Sequence, residues 1–139
     1  MNFVRKSMEK AKILIVDDDQ DLTGAMKIAL ESEQYTVLSA ASRAEGMEKI
    51  RNDKPDLIIL DVMMQTWSDG FEMSRELKQD PRFKAIPVLI LTAVKEKSGI
   101  DFKSTAGDPD WLPVDGFLNK PVEPQVLLAE VKRILSQKG

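Results

Sequence analysis

Four short apolar stretches of this sequence each run directly into residues that can do chemistry. Residues 13–16 lead into Asp17-Asp18-Asp19, 57–60 into Asp61, 88–91 into Thr92, and 116–118 into Asn119-Lys120-Pro121. If the stretches lie side by side, acids, a hydroxyl and an ammonium arrive at one rim. Carboxylates converging in a crevice repel one another and are costly to bury without a cation. The chain contains no histidine and no cysteine, which leaves hard carboxylate and carbonyl oxygens. Such a set suits Mg²⁺, which takes one or two carboxylates, keeps several waters and completes its shell with phosphate oxygens. Lys120 adds a second positive charge and Thr92 a neutral donor. Singly, each residue has a plainer explanation: an Asp after a strand caps a helix or a turn, a Thr bonds backbone, a Lys is a surface charge. Their recurrence at four strand ends gives the pattern its weight.

The elements that must position these residues are visible in the hydrophobic pattern. Apolar, β-branched runs at 13–16, 35–39, 57–60, 88–91 and 116–118 alternate with longer amphipathic stretches, the signature of βαβ units around a buried parallel sheet. Leu22, Ala25, Met26, Ala29 and Leu30 form one helical stripe. Ser42 and Glu45 read as a capping box opening a second helix, with Ala44, Met47 and Ile50 facing inward. A third helix is expected over 70–79, with Phe71, Met73 and Leu77 in the core and Asp80-Pro81 as its stop. The last begins at Pro124 and buries Leu127, Val131, Ile134 and Leu135. Between 95 and 115, Gly99, Gly107, Pro109 and Pro113 interrupt any helical period, predicting a short or broken fourth helix. Five parallel strands with helices on both faces make an open doubly wound α/β sheet, whose crevice lies at the carboxyl ends of its strands.

A length of 139 residues fits one domain, here taken as 11–139 after a loose arm at 1–10. Apolar residues at 42% and charged residues at 31% fill a core and keep a soluble surface, which argues against disorder. The net charge is −3 and basic runs are absent, so direct nucleic-acid binding is not expected. Without cysteine, disulfides and thiolate metal sites are excluded. The first apolar run, 13–16, is too short for a signal peptide or a membrane span, which makes a cytoplasmic location the default and membrane insertion unexpected.

The blocks ILIVDDD, PDLIILDVMM, VLILTA and GFLNKP together resemble the motifs of bacterial two-component response-regulator receiver domains, over residues 12–135. The resemblance implies a flavodoxin-like sheet of order 2-1-3-4-5 and a signalling switch, not a turnover enzyme, that assists its own phosphorylation and dephosphorylation. Asp61 would be the phosphoacceptor. Asp17, Asp18, Asp61 and the backbone carbonyl of Met63 would hold Mg²⁺, while Asp19 matches a variable position and reads as a surface or capping residue. Thr92 would hydrogen-bond the phosphoryl group and Lys120 would pair with it. Phe117 matches an aromatic whose rotamer reports activation, and reads equally well as a core ring of the fifth strand. Pro121 matches a cis proline. The implied partners are a histidine kinase or histidine phosphotransfer protein and an effector that the sequence does not name, with phosphorylation-dependent dimerisation left open. Met63 and Val94 stand where other receivers carry residues that line the path of the attacking water, and neither polarises water, so slow dephosphorylation is expected.

Two departures stand out. The loop 64–70 lacks the family's proline and is one residue longer, and its Trp67 either covers the site or lies exposed. The span from Thr92 to Lys120 is several residues longer than usual, and its Trp111 and Leu112 suit either a self-packed cover or a docking loop. Other functions fit less well. A Mg²⁺-dependent phosphohydrolase would place an acid where Met63 stands, a pseudo-receiver would not keep the full set of acids, hydroxyl and lysine, and a flavin-binding protein would not put an acidic cluster where a phosphate must sit.

Overall fold

The computed structural model describes residues 11–61, 67–92 and 115–138. Five strands, β1 (Lys12–Val16), β2 (Thr36–Ala40), β3 (Leu57–Asp61), β4 (Val88–Thr92) and β5 (Gly116–Asn119), alternate with helices α1 (Gln20–Glu31), α2 (Arg43–Asp53), α3 (Trp67–Gln79) and α4 (Pro124–Lys138). All pairings are parallel and the order is β2-β1-β3-β4-β5, the expected doubly wound sheet. Strand order reverses at β1, so a crevice opens between the carboxyl ends of β1 and β3.

Side-chain alternation along the strands feeds two cores. Leu14, Val16, Ile58, Leu60, Val88 and Ile90 pack with Met47 and Ile50 of α2 and Met73 and Leu77 of α3. Ile13, Ile15, Leu57, Ile59, Leu89 and Leu91 pack with Met26 and Leu30 of α1 and Leu127, Val131 and Ile134 of α4. Both faces of the sheet are covered, which is why the strands are apolar without interruption instead of alternating.

Several expectations need correction. Ala25 and Ala44, expected inward, are exposed. The buried positions are Thr23 in α1 and Gly46 in α2. A Cβ on Gly46 would lie 3.0 Å from Met73 Cε and 3.1 Å from Val16 Cγ2, so an alanine here would have to push these side chains aside by a few tenths of an ångström. The Ser42 hydroxyl accepts from Glu45 N as expected, at 3.2 Å, but the Glu45 carboxylate reaches Ala41 N at 2.8 Å, one residue beyond its expected partner. Helix α3 starts at Trp67, not at Gly70. A glycine inside a helix costs only about 1 kcal/mol relative to alanine, so Gly70 does not mark the start. The strands run one residue longer than expected at one end or, for β2, sit one residue later. The irregular stretch expected between 95 and 115, the arm at 1–10, and the side chains of Trp67, Phe71 and Thr92 lie outside the described residues.

The amino ends of the strands are closed by two matching devices. Asp56, just before β3, donates its N–H to Lys12 O at 2.7 Å, and its carboxylate accepts from Lys12 N at 2.8 Å. Asp115, just before β5, does the same with Val88, at 2.8 Å in both directions. Lys78, from the end of α3, adds an ammonium contact to Asp115 Oδ2 at 3.0 Å and one to Ile86 O at 2.9 Å.

Candidate functional site

Each residue of the opposite rim is delivered by a strand end. β1 hands over Asp17, whose N–H is held by Ala40 O of β2 at 3.0 Å. β3 ends in Asp61 and β5 in Asn119, followed by Lys120. Asp17 and Asp61 are each 1% exposed, and Asp18 beside them is open to solvent. One carboxylate oxygen from each of Asp17, Asp18 and Asp61 lies within 4.8 Å of the others. Lys120 Nζ donates to Asp61 Oδ2 at 2.9 Å and sits 3.5 Å from Asp17 Oδ2. The three acids expected to meet, and the lysine expected to join them, thus lie together at one rim.

The electrostatics follow from that crowding. Burial raises the carboxyl of Asp17 to about 7, partly opposed by the hydrogen bond from Asp19 N, with the nearby Asp61 raising it further and Lys120 lowering it. Burial works against the Lys120 ammonium, yet its bond to Asp61 and the two negative charges prevail, and its pKa is raised. One ammonium therefore serves two buried carboxylates.

The same atoms fit a divalent cation. Asp17 Oδ2 is a buried oxygen with no hydrogen-bond partner, an arrangement that calls for an ion or a water to complete it. The donors are carboxylate oxygens from two strand ends, the set preferred by hard cations. Asp18 of the same cluster is exposed to solvent.

Other expected positions are placed in part. The backbone of Thr92 ends β4, paired with Asn119 of β5. Phe117 is partly buried and packs against the core shared by α2 and α3, so its role as a core ring is visible. The Lys120-Pro121 peptide is cis. Met63 and Val94 lie outside the described residues. Asp19 is the exposed cap it was expected to be, its carboxylate accepting from Leu22 N at 3.1 Å, and its N–H also bonds Asp17 Oδ1 at 2.9 Å. An Asp just before a helical stripe announces the cap. Nothing in the sequence announces the backbone donor.

Residues 13–132 match the family model for the response regulator receiver domain. The chain belongs to that family. It is 36% identical over 124 residues to the alkaline phosphatase synthesis transcriptional regulatory protein PhoP of Bacillus subtilis, covering 89% of this chain and 48% of PhoP. It is 31% identical over 126 residues to the protein PilH of Pseudomonas aeruginosa, covering 91% of this chain and 98% of PilH. The chain thus spans about half the length of PhoP and nearly all of PilH. The crystal structure of a putative response regulator from Chloroflexus aurantiacus superposes with a TM-score of 0.79 at 34% identity, over 92% of this chain and 99% of that one. Receiver domains are phosphoacceptor signalling modules, and this one carries a cluster of three aspartates that could hold a metal ion. Among the described residues, no helix is long and apolar enough to cross a membrane.

Proposed function

We propose that this receiver takes a phosphoryl group onto Asp61 from a phosphohistidine on a histidine kinase or phosphotransfer protein, in a Mg²⁺-dependent reaction that changes partner binding. The observation that carries the reading is Asp61 itself. It is buried, with Oδ2 held by Lys120 Nζ at 2.9 Å and an oxygen within 4.8 Å of the ligand atoms of Asp17 and Asp18. The receiver would comprise residues 11–139, preceded by the arm at 1–10, and would work in the cytoplasm without touching nucleic acid or entering a membrane.

Asp17, Asp18, Asp61 and the backbone carbonyl of Met63 would hold the ion. When bound, Mg²⁺ supplies the positive charge that lets an anionic donor approach an acidic pocket. The steps belong to the chain. Asp61 is fixed in position by its strand end and by Lys120, so the entropic cost of aligning an in-line attack is met in advance. A carboxylate oxygen of Asp61 bonds to phosphorus as the phosphorus–nitrogen bond to the donor histidine breaks, and the electron pair leaves with the imidazole. The Lys120 ammonium then pairs with a phosphoryl oxygen. The hydroxyl of Thr92 donates to the same group, and Phe117 turns further into the core, altering the surface around β5. Dimerisation would be one readout of that change and binding of an effector another.

The test is phosphoryl transfer from radiolabelled acetyl phosphate. The wild-type chain is expected to take up label only with Mg²⁺, and Asp61→Asn to take up none. Labelling of Asp61→Asn at the wild-type rate overturns the assignment. Met63 and Val94 match the sequence positions that line the water's approach in other receivers, and neither side chain polarises water, so the label should persist well beyond seconds after the donor is removed.

A further inference from the structure

The two carboxylate oxygens of Asp17 have different surroundings, and Asp19 sets the difference. Asp17 Oδ1 accepts from the N–H of Asp19 at 2.9 Å. Asp17 Oδ2 has no hydrogen-bond partner and lies 3.5 Å from Lys120 Nζ. The peptide that supplies the N–H is itself fixed, because Asp19 is the N-cap of α1. Its backbone is extended, at φ −86° and ψ 101°. Its Oδ1 accepts from Leu22 N at 3.1 Å, and its carbonyl accepts from Thr23 N at 3.0 Å.

We infer that Asp19 is a positioning residue for the divalent-cation site: by capping α1 it pins the peptide that occupies one oxygen of Asp17, and so leaves the other for the ion. The chain of contacts runs from the Asp19 side chain to the first turn of α1, back through the Asp19 peptide to Asp17 Oδ1, and so to the orientation of Oδ2. Asp19 stands outside the trio of clustered acids, and its carboxylate is engaged with the helix. Its effect on the ion is therefore geometric: any side chain that caps the helix serves, whatever its charge. Partners that orient a metal ligand in this way typically affect affinity by an order of magnitude or more. The inference rests on reading Asp17, Asp18 and Asp61 as the ligands.

The experiment is calorimetric titration of Mg²⁺ into the metal-free full chain, compared across Asp19→Ala, Asp19→Ser, Asp19→Asn and Ser42→Ala. Ser and Asn cap helices as Asp does, whereas Ala does not. Ser42→Ala removes the equivalent cap of α2, whose hydroxyl accepts from Glu45 N, and controls for general loss of stability. Asp19→Ala is expected to weaken Mg²⁺ binding about tenfold. Asp19→Ser and Asp19→Asn should bind close to wild type, and so should Ser42→Ala even though its melting temperature falls. Wild-type affinity in Asp19→Ala overturns the inference. So does equal weakening in Ala, Ser and Asn, which would assign the effect to charge, and so does equal weakening in Ser42→Ala, which would assign it to stability. A wild-type chain that binds no Mg²⁺ overturns the ligand reading beneath and the inference with it, and is told apart because no variant then differs from any other.

Discussion

The two ends of the sheet use the same residue type in opposite ways. At the amino ends, Asp56 and Asp115 precede their strands and spend their carboxylates on neighbouring backbone, each exchanging two hydrogen bonds with the first residue of the adjacent strand. Lys78 gives Asp115 its counter-charge. At the carboxyl ends, Asp17 and Asp61 are more deeply buried, yet a single Lys120 serves both, and the Asp17 oxygen it faces at 3.5 Å has no hydrogen-bond partner. The same parallel ladder offers N–H groups to an acid before a strand and carbonyls to an acid after one. An aspartate entering a strand can therefore close the sheet, while one leaving it faces electron-rich groups and needs something positive. Stability is concentrated at one rim and reactivity at the other.

That comparison breaks most visibly at Lys120. Replacing it with methionine keeps most of the bulk and removes the charge shared by Asp17 and Asp61. Labelling of Asp61 from acetyl phosphate at saturating Mg²⁺ should slow by about 100-fold, the usual scale for losing one preorganised charge-stabilising donor. An unchanged rate would show that Lys120 serves the resting fold alone. At the other rim, Asp115→Ala strips Val88 N of its acceptor and Lys78 of its carboxylate, leaving Lys78 its bond to Ile86 O. Urea unfolding should show a loss of about 2 kcal/mol, read as a lower midpoint at unchanged slope. The rate of labelling should stay near wild type. A large drop in labelling with unchanged stability would erase the distinction between the rims.

Much of this contrast was legible in the sequence because a buried parallel strand writes itself as an unbroken apolar run, and the residue just beyond it must sit at the rim. Asp17, Asp61 and Lys120 were placed on that logic, and Met26, Leu30, Met47, Ile50, Met73 and Leu77 on helical period. The helix faces depart from the periodic pattern where small residues decide. Ala25 and Ala44 are apolar enough to count toward a stripe yet lie exposed, whereas Thr23 and Gly46 carry no apolar signal and occupy the inward positions. Gly46 sits at a close approach to Met73 and Val16 that no period reveals. The amino-end clamps left a trace, an Asp directly before each of two strands, but their partners Lys12 and Val88 follow from register, which only the fold supplies. The Asp19 N–H that orients Asp17 is a backbone group, and side-chain patterns cannot announce it.

The smallest effect tests the cost of the reactive rim directly. Burial raises Asp17 to about 7 from an ordinary carboxylate value of 3.8, so between those values the folded chain binds a proton that the unfolded chain releases. By linkage, the stability contributed by Asp17 is fully present below about pH 4, falls as pH rises, and is lost once pH passes the folded value near 7. Asp17→Asn removes this titration, so the difference in stability between the variant and the wild-type chain, measured without metal by urea unfolding from pH 4 to 8, should grow with pH. It should reach about 1–2 kcal/mol in favour of the variant at pH 8, the scale expected when a poorly compensated buried charge is neutralised. Added Mg²⁺ should raise the stability of the wild-type chain and leave Asp17→Asn nearly unmoved, because only a ligand that binds the folded state shifts the equilibrium. A difference that stays flat across this range would mean that Asp17 is as well satisfied in its pocket as Asp115 is at the far end of the sheet, and the asymmetry between the two rims would then have no energetic content.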